Sequence, residues 1–172
     1  MKPLLVGEMP SRSGDRYWEF PLSGAVAQAL CQMAGIPPEP NESRYGRWTW
    51  ALYDRFDCIN AIERHQPWDV EAAAGALRAQ IEYTSEVVVL LGRRPQEAYV
   101  EMTRPADSLV EGIDFYQWVV DNNSPTGRRE VVVIPHPSSL NHMYLEPKNK
   151  FRAGKILCAA MDKAREMEET KL

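Results

Sequence analysis

The sequence predicts an α/β fold, namely a single-domain α/β/α sandwich built on a central, mostly parallel sheet of four to five strands. Segments with strand character alternate with segments of helical character along most of the 172 residues, which is typical of parallel sheets joined by right-handed crossovers. The segment 86–91 is an unbroken apolar run after its first residue, as expected for a strand covered on both faces. The length suffices for one domain with a proper core, and we expect residues 1–172 to form it.

Five segments are predicted as strands because they are short, apolar and bounded by turn-forming residues. They are residues 3–7, 56–60, 86–91, 115–120 and 130–134. The cluster D-N-N-S-P-T-G at 121–127 separates the last two, so we expect these to pair as a hairpin.

Five further segments have the composition and periodicity of helices. They are residues 22–33, 44–53, 70–83, 95–102 and 150–168. Ser23 is a suitable N-cap for the first helix and Gly35 a suitable stop, and Pro95 fits the first turn of the fourth. The charged end of the last helix, from about residue 168, is expected to fray.

The formal net charge is −4, which argues against a surface that is basic throughout and restricts any nucleic-acid contact to a local patch. Basic residues cluster at Arg12 and Arg16, Arg44 and Arg47, Arg93 and Arg94, and Lys148, Lys150, Arg152 and Lys155. A scattering of solvated charges is the alternative interpretation. No apolar run has transmembrane length, and the start of the chain reads as a first strand instead of a signal peptide, so we expect a cytoplasmic protein.

The three cysteines, Cys31, Cys58 and Cys158, are far apart in sequence and include no C-x-x-C pair. This argues against a zinc or iron–sulfur site, and reduced thiols are expected. We therefore expect no metal.

Polar residues follow the predicted parallel strands at the points where each strand ends. They are Glu8, Asn60, Arg93 with Arg94, and His136, a histidine held between two prolines. The carboxyl ends of parallel strands meet at one edge of a sheet, where open α/β folds place their ligands. We therefore expect these side chains to converge there.

Four segments carry a family resemblance. G-E-M-P-S at 7–11, with P-L-S-G at 21–24 opening a helix, resembles the first motif of the uracil-DNA glycosylase superfamily, especially its branch with a G-E-x-P-G loop. F-D-C-I-N at 56–60 is similar to the strand that carries the family's base-reading asparagine, and V-V-V-L-L-G-R at 87–93 to its structural strand and turn. H-P-S-S-L at 136–140 resembles the H-P-S-x-L loop that enters the minor groove. The segments occur in the family's order.

The resemblance implies a monofunctional DNA glycosylase of base-excision repair, which hydrolyses the N-glycosidic bond of a flipped uracil or related base. It implies DNA as partner, no metal or organic cofactor, and a monomer that is associated with the nucleoid when it acts on DNA. No lysine in these motifs is placed as a nucleophile, so lyase chemistry is not expected.

Catalytic roles follow from the same resemblance. His136 would donate a hydrogen bond to O2 of the departing base, an electrostatic contribution for which a neutral imidazole suffices. Glu8 would offset positive charge on the sugar or orient water, with Asp15 as the second candidate. The alternatives are a structural histidine that caps its own loop and a loop carboxylate paired with Arg12 or Arg16.

Base and DNA contacts are assigned in the same way. Asn60 offers a donor and an acceptor side by side for a pyrimidine edge, and the other predicted base-binding residues are Phe20, Leu22 and Met9. Leu140 would act as the wedge, and the remaining DNA-binding candidates are Ser11, Pro137, Ser138, Ser139, Asn141 and Arg93. In the alternative interpretation, Asn60 satisfies backbone groups and Leu140 packs under its own loop.

Two departures from the family pattern bear on the substrate. The related thermophile enzymes hold an iron–sulfur cluster on four cysteines, and this chain has three. The family phenylalanine that stacks on the base aligns with Leu22, and Phe20 replaces it only if the loop shifts. Two alternatives therefore stand beside uracil excision: a glycosylase for another modified or deaminated base, and a non-catalytic relative that binds a nucleobase, a nucleic acid or a protein.

Overall fold

A computed structural model describes residues 1–10, 20–40, 43–44, 46–81, 86–124, 127–138 and 141–172. The site predictions for Ser11, Asp15, Ser139 and Leu140 lie outside the described residues. No described helix is long and apolar enough to cross a membrane.

Five strands form one sheet in the order β2-β1-β3-β5-β4. They are β1 (Leu4–Gly7), β2 (Asp57–Asn60), β3 (Val87–Leu91), β4 (Val119–Ser124) and β5 (Gly127–Ile134). The first four in this order are parallel, and β4 alone pairs antiparallel, with β5. The predicted mostly parallel sheet is confirmed.

Helices cover both faces of the sheet. They are α1 (Gly24–Ala34), α2 (Gly46–Arg55), α3 (Val70–Ile81), α4 (Arg93–Thr103) and α5 (Pro147–Thr170), with a short 3-10 helix at His142–Leu145. Successive β3 residues alternate between two apolar cores: Val89 packs with residues of α1, α2 and α5, and Val88 with residues of α3 and α4. Burial of each of these valine side chains stabilises the folded state by about 1.5–3 kcal/mol. This double burial explains why β3 reads as an uninterrupted apolar run.

The parallel register aligns the carboxyl ends of β1, β2, β3 and β5. Gly7 lies opposite Asn60, and Leu91 lies opposite Ile134. The ladders continue for one step past the strands, because the backbone N–H of Ala61 donates to the carbonyl of Gly7 at 2.9 Å. The residues that follow these strands therefore start from one edge of the sheet.

The fourth strand differs from the prediction. It was expected at 115–120, but it begins at Val119 and continues through Ser124, into the predicted turn cluster. Tyr116 has a φ of 69°, which an extended strand does not permit, and the ring of Phe115 lies 3.9 Å from the guanidinium carbon of Arg93. Phe115 therefore packs on the side of α4, whereas Tyr116 and Trp118 pack against the core on the other face of the sheet, and this segment does not continue β4.

Candidate active site

A cavity of about 570 Å³ opens at the carboxyl edge of the sheet. Glu8, Asn60 and His136, which follow or end three different strands, all line it. The other residues that line it are Met9, Pro10, Phe20, Leu22, Ser23, Gly24, Ala25, Val26, His65, Gln66, Pro67, Trp68, Arg94 and Ser138. Its size and its mixture of apolar walls with a few convergent polar groups are those of a small-molecule or nucleobase site.

His136 is held in one orientation by its own loop. The backbone N–H of Ser138 donates to Nδ1 of His136 at 3.1 Å, so Nδ1 is an acceptor and the neutral ring carries its proton on Nε2. Burial lowers the pKa of His136 from its usual value, and the nearby Glu8 carboxylate opposes this shift only in part. The neutral imidazole with an Nε2–H donor is therefore the favoured form.

Hydrogen bonds from Asn141 and Tyr144 hold the backbone at Pro135 and His136. Nδ2 of Asn141 donates to the carbonyl of His136 at 2.9 Å, and Oδ1 of Asn141 accepts from the N–H of Met143 at 3.0 Å. The Tyr144 hydroxyl donates to the carbonyl of Pro135 at 2.6 Å. These bonds tie the backbone carbonyls of Pro135 and His136 to Asn141 and the 3-10 helix, and so hold the backbone of His136 at the end of β5.

The turn after β3 also supports the imidazole. Gly92 has a φ of 105°, and a Cβ there would lie 3.2 Å from Cβ of His136. A glycine is needed at this position because the backbone conformation and the close approach both disfavour a side chain.

Glu8 forms an ion pair with Arg94, whose Nη1 contacts Oε1 of the carboxylate. The Glu8 side chain is about a quarter exposed, and the Arg94 guanidinium carbon lies 5.6 Å from the ring centroid of Trp68. All three residues line the cavity. Arg94 thus holds the carboxylate at the rim and is itself backed by an aromatic ring.

Asn60 is buried, with 4% of its surface exposed. Its backbone carbonyl accepts a hydrogen bond from Nε2 of Gln80 at 3.1 Å, whereas its side-chain amide bonds to no other residue within the described ranges. Oδ1 lies 2.5 Å from the position that a Cβ of Gly7 would occupy. The glycine therefore makes room for an amide that faces the cavity with its donor and acceptor unused.

Leu22 and Phe20 form the apolar part of the wall. Leu22 is 7% exposed and has a φ of 58°, a conformation that is uncommon for a leucine. A methyl group of Leu22 lies against Gly7. Phe20 packs edge-on to Trp50, with ring centroids 5.5 Å apart. Both predicted base-binding residues thus line the cavity, as does Met9.

Arg93 lies elsewhere. Its Nη1 donates to the carbonyl of Ile113 and to Oε1 of Gln96, both at 2.8 Å, and it lines a separate cavity beside α4. Pro137 and Asn141 line the groove next to the candidate site, and Ser138 lines both.

Sequence reasoning placed Arg94 beside Arg93 at this edge of the sheet but named only Arg93 as a site residue, and it did not assign Trp68 to the site. The pair Arg93 and Arg94 was recognised at a strand end, but both begin α4, where neighbouring residues point about 100° apart. The side chain that reaches the cavity is decided by the phase of the helix, for which the sequence gives no direct signal.

The three cysteines do not fit the iron–sulfur cluster of the thermophile branch. They lie on α1, β2 and α5, and burial raises the pKa of the Cys31 thiol to about 12. The described residues contain no group of three or more histidine, cysteine or carboxylate side chains placed to hold a metal ion.

A family model identifies the superfamily of the chain. The family model described as "Uracil DNA glycosylase superfamily" matches residues 1–157 of the 172-residue chain. No curated protein matches the chain. Because the match spans the whole sheet and every described residue of the candidate site, the chain belongs to the uracil-DNA glycosylase superfamily.

Proposed function

We propose that this protein is a monofunctional DNA glycosylase that hydrolyses the N-glycosidic bond of a flipped uracil or related base. One observation carries the proposal: Glu8, Asn60 and His136 line a single cavity at the carboxyl edge of the sheet, with His136 held as an Nε2–H donor. A pure binding site has no need of a donor, a carboxylate and an amide in this combination.

The reaction separates charge along one bond. As the bond from C1′ of the sugar to the base nitrogen lengthens, the sugar becomes positive and the base becomes negative. Nε2–H of His136 stabilises the developing negative charge on O2 of the base, and preorganised donors of this kind commonly supply the largest catalytic contribution. The neutral ring suffices because it donates a hydrogen bond and does not have to transfer its proton.

Glu8 acts on the opposite charge. Its carboxylate offsets the positive sugar and orients a water molecule toward C1′. The water oxygen bonds to C1′, the water loses a proton, and the departing base takes up a proton, so the products are the free base and an abasic site. Arg94 is a positioning residue in this scheme, because it contacts Glu8 and sets where the carboxylate lies.

Base recognition is assigned to Asn60, with Phe20, Leu22 and Met9 packing against the flipped ring. The side-chain amide of Asn60, which has no partner among the described residues, matches the adjacent N–H and carbonyl of a uracil or thymine edge. A base must leave the duplex stack to reach this depth. Pro137, Ser138 and Asn141 belong to the loop that would grip the DNA, and Ser139 and Leu140, which follow Ser138 in the sequence, lie outside the described residues.

A second candidate function is excision of a different modified or deaminated base. It is favoured by the aromatic wall, in which Leu22 lies against Gly7 and Phe20 is packed edge-on to Trp50. Leu22 stands where the family pattern has its stacking phenylalanine, so the described part of the wall specifies the preferred ring less tightly than the family pattern does.

A base-release assay tests the proposal. Oligonucleotides carry uracil, a thymine mismatch, 5-hydroxymethyluracil or hypoxanthine, and each is incubated with the wild type, His136→Ala and Glu8→Ala. We expect release by the wild type and a loss of orders of magnitude in both variants, with DNA binding retained. Release of another base without uracil supports the second candidate. A wild type that binds but never cleaves overturns both and supports a non-catalytic binder.

A further inference from the structure

A second cavity, of about 590 Å³, adjoins the candidate active site on the far side of the loop that carries His136. We call it the flanking groove; its lining includes Val26, Met33, Ser138, Leu145, Lys150 and Phe151. Val26 and Ser138 line both cavities. If one unit of a polymer occupies the first cavity, the units next to it therefore reach the groove.

The walls of the flanking groove are apolar and partly open to solvent. Phe151 is 64% exposed and Leu145 is 77% exposed. Large apolar side chains exposed side by side mark a binding surface more often than isolated ones do. An open aromatic face next to a nucleic-acid site is the feature on which unpaired bases stack.

The charge around the groove is positive, whereas the net charge of the whole chain is negative. The net charge of the protein is −4, yet the described residues that line the groove include Lys150 and no carboxylate. The first half of α5, residues 147–158, has four basic and no acidic residues, whereas the second half, 159–170, has two basic and four acidic residues. A local positive field is thus confined to the end of α5 that borders the groove.

Helix stability does not explain this arrangement. Lys148 and Lys150 lie in the first turn of α5, where the helix dipole disfavours cations. Lys150 forms no ion pair with any other residue that the structure describes. The Lys155 ammonium lies 4.8 Å from the ring centroid of Phe151, but Lys155 lines a neighbouring cavity. Lys150 and Phe151 both line the groove, so a cation and an aromatic ring occur together there. This combination fits a ligand that presents flat rings and phosphates.

We propose that the flanking groove binds the unpaired strand next to the excised nucleotide, with a neighbouring base on Phe151 and a backbone phosphate at Lys150. A base that is stacked and paired in a duplex cannot offer its face to Phe151, so the groove selects single-stranded or locally unpaired DNA. This inference rests on the proposed function for the content of the first cavity.

Binding to a product analogue tests the groove without chemistry. A labelled single strand carrying a tetrahydrofuran abasic analogue, alone or in a duplex, is titrated in a fluorescence anisotropy assay. We expect the wild type to bind the single strand more tightly than the duplex. Phe151→Ala should weaken single-strand binding by about 5- to 150-fold, the range that loss of one base stacking contact gives. Its effect on the duplex should be within about twofold.

Lys150→Gln should weaken single-strand binding and reduce the salt dependence by roughly 0.7 in the log–log slope, as expected for one lost phosphate contact. Two matched controls should bind as the wild type does. Leu109→Ala truncates an apolar side chain that is 61% exposed. Leu109 precedes Val110, which belongs to the core on the other face of the sheet. Lys171→Gln removes the same charge at the opposite end of α5, about 30 Å away at 1.5 Å per residue.

The proposal is overturned if Phe151→Ala binds the single strand as tightly as Leu109→Ala, or if it weakens the duplex equally. It is also overturned if size-exclusion chromatography shows that Phe151→Ala abolishes self-association without weakening DNA binding, since the groove is then a protein interface. Base release is measured in parallel. If the wild type releases a base but Phe151→Ala does not weaken single-strand binding, only the groove proposal is rejected. If Phe151→Ala weakens single-strand binding but the wild type releases no base, the glycosylase function is rejected and the groove is kept as a nucleic-acid site.

Discussion

The backbone amide of Ser138 donates to Nδ1 of His136 at 3.1 Å. A backbone amide can only donate, so this single bond fixes the tautomer of the neutral imidazole with its proton on Nε2, and His136 lines the cavity. Protonation of Nδ1 would break the bond and place a charge in a partly buried site. The loop geometry and the burial therefore both favour the neutral form.

The partly buried imidazole of His136 makes the stability of the protein depend on pH. Burial lowers the pKa of His136 in the folded state, so the unfolded chain binds a proton more readily. The free energy of unfolding is then highest above about 6.5, the usual histidine pKa, and falls as the pH drops from there to the lower folded pKa. Urea unfolding at pH 7.5 and 5.5 should show that the free energy of unfolding falls less between these pH values for His136→Gln than for the wild type. His142→Gln, which removes an exposed imidazole from the 3-10 helix, is the control; equal losses in all three proteins would refute the argument.

The ion pair between Arg94 and Glu8 should matter for rate more than for stability. Arg94→Gln leaves the carboxylate without its partner, and we expect kcat for base release to fall by about ten- to a hundredfold, since a small displacement of a catalytic group is costly. Arg94→Lys should restore part of the loss because it keeps the charge but not the planar fork.

The control for Arg94 is Arg104→Gln, which breaks an exposed ion pair with Glu101 at 2.9 Å on the same helix. It should have the kcat of the wild type. A kcat for Arg94→Gln within about twofold of the wild type, in single-turnover measurements, would show that Arg94 does not position Glu8.

Gly7 is the tightest point of the candidate site. A Cβ there would lie 2.5 Å from both Oδ1 of Asn60 and a methyl carbon of Leu22, so Gly7→Ala must displace one of them. We expect a loss of about 1–3 kcal/mol in the free energy of unfolding, together with weaker binding of the base.

Gly75→Ala provides the matched comparison for Gly7. No atom lies within 4 Å of a Cβ at Gly75, which is inside α3, so this substitution should stabilise the protein by roughly 0.5–1 kcal/mol. Chemical denaturation of the two variants measures the difference, and a neutral Gly7→Ala with unchanged base release would show that the contact between Gly7 and Asn60 is not critical.

The architecture and the principal strand-end residues were predictable because they depend on local signals. The apolar run of β3 predicts a strand that is covered on both faces. A histidine between two prolines, after four β-branched residues, predicts a rigid end to the strand that those four residues form. His136, Glu8 and Asn60 could be named for that reason, and the sheet order brings them to one cavity.

Features set by tertiary packing were not predictable in the same way. Arg94 faces the cavity and Arg93 does not, which depends on the phase of α4 against the sheet. The flanking groove is lined by residues of α1, of α5 and of the segment after β5, and α1 packs closely on α5, where a Cβ at Gly154 would lie 2.1 Å from the carbonyl oxygen of Met33. The late start of β4 depends on the left-handed conformation of Tyr116. None of these leaves a periodic trace in the sequence.

The central claim is that His136 stabilises a departing base, and single-turnover base release measures it most directly. Using the oligonucleotide on which the wild type is most active, we expect His136→Ala to lower the rate constant by roughly 10²–10³, as loss of one preorganised donor does, while binding to the abasic analogue stays unchanged. A rate constant for His136→Ala within about threefold of the wild type would contradict the account, and so would a wild type that releases none of the four bases.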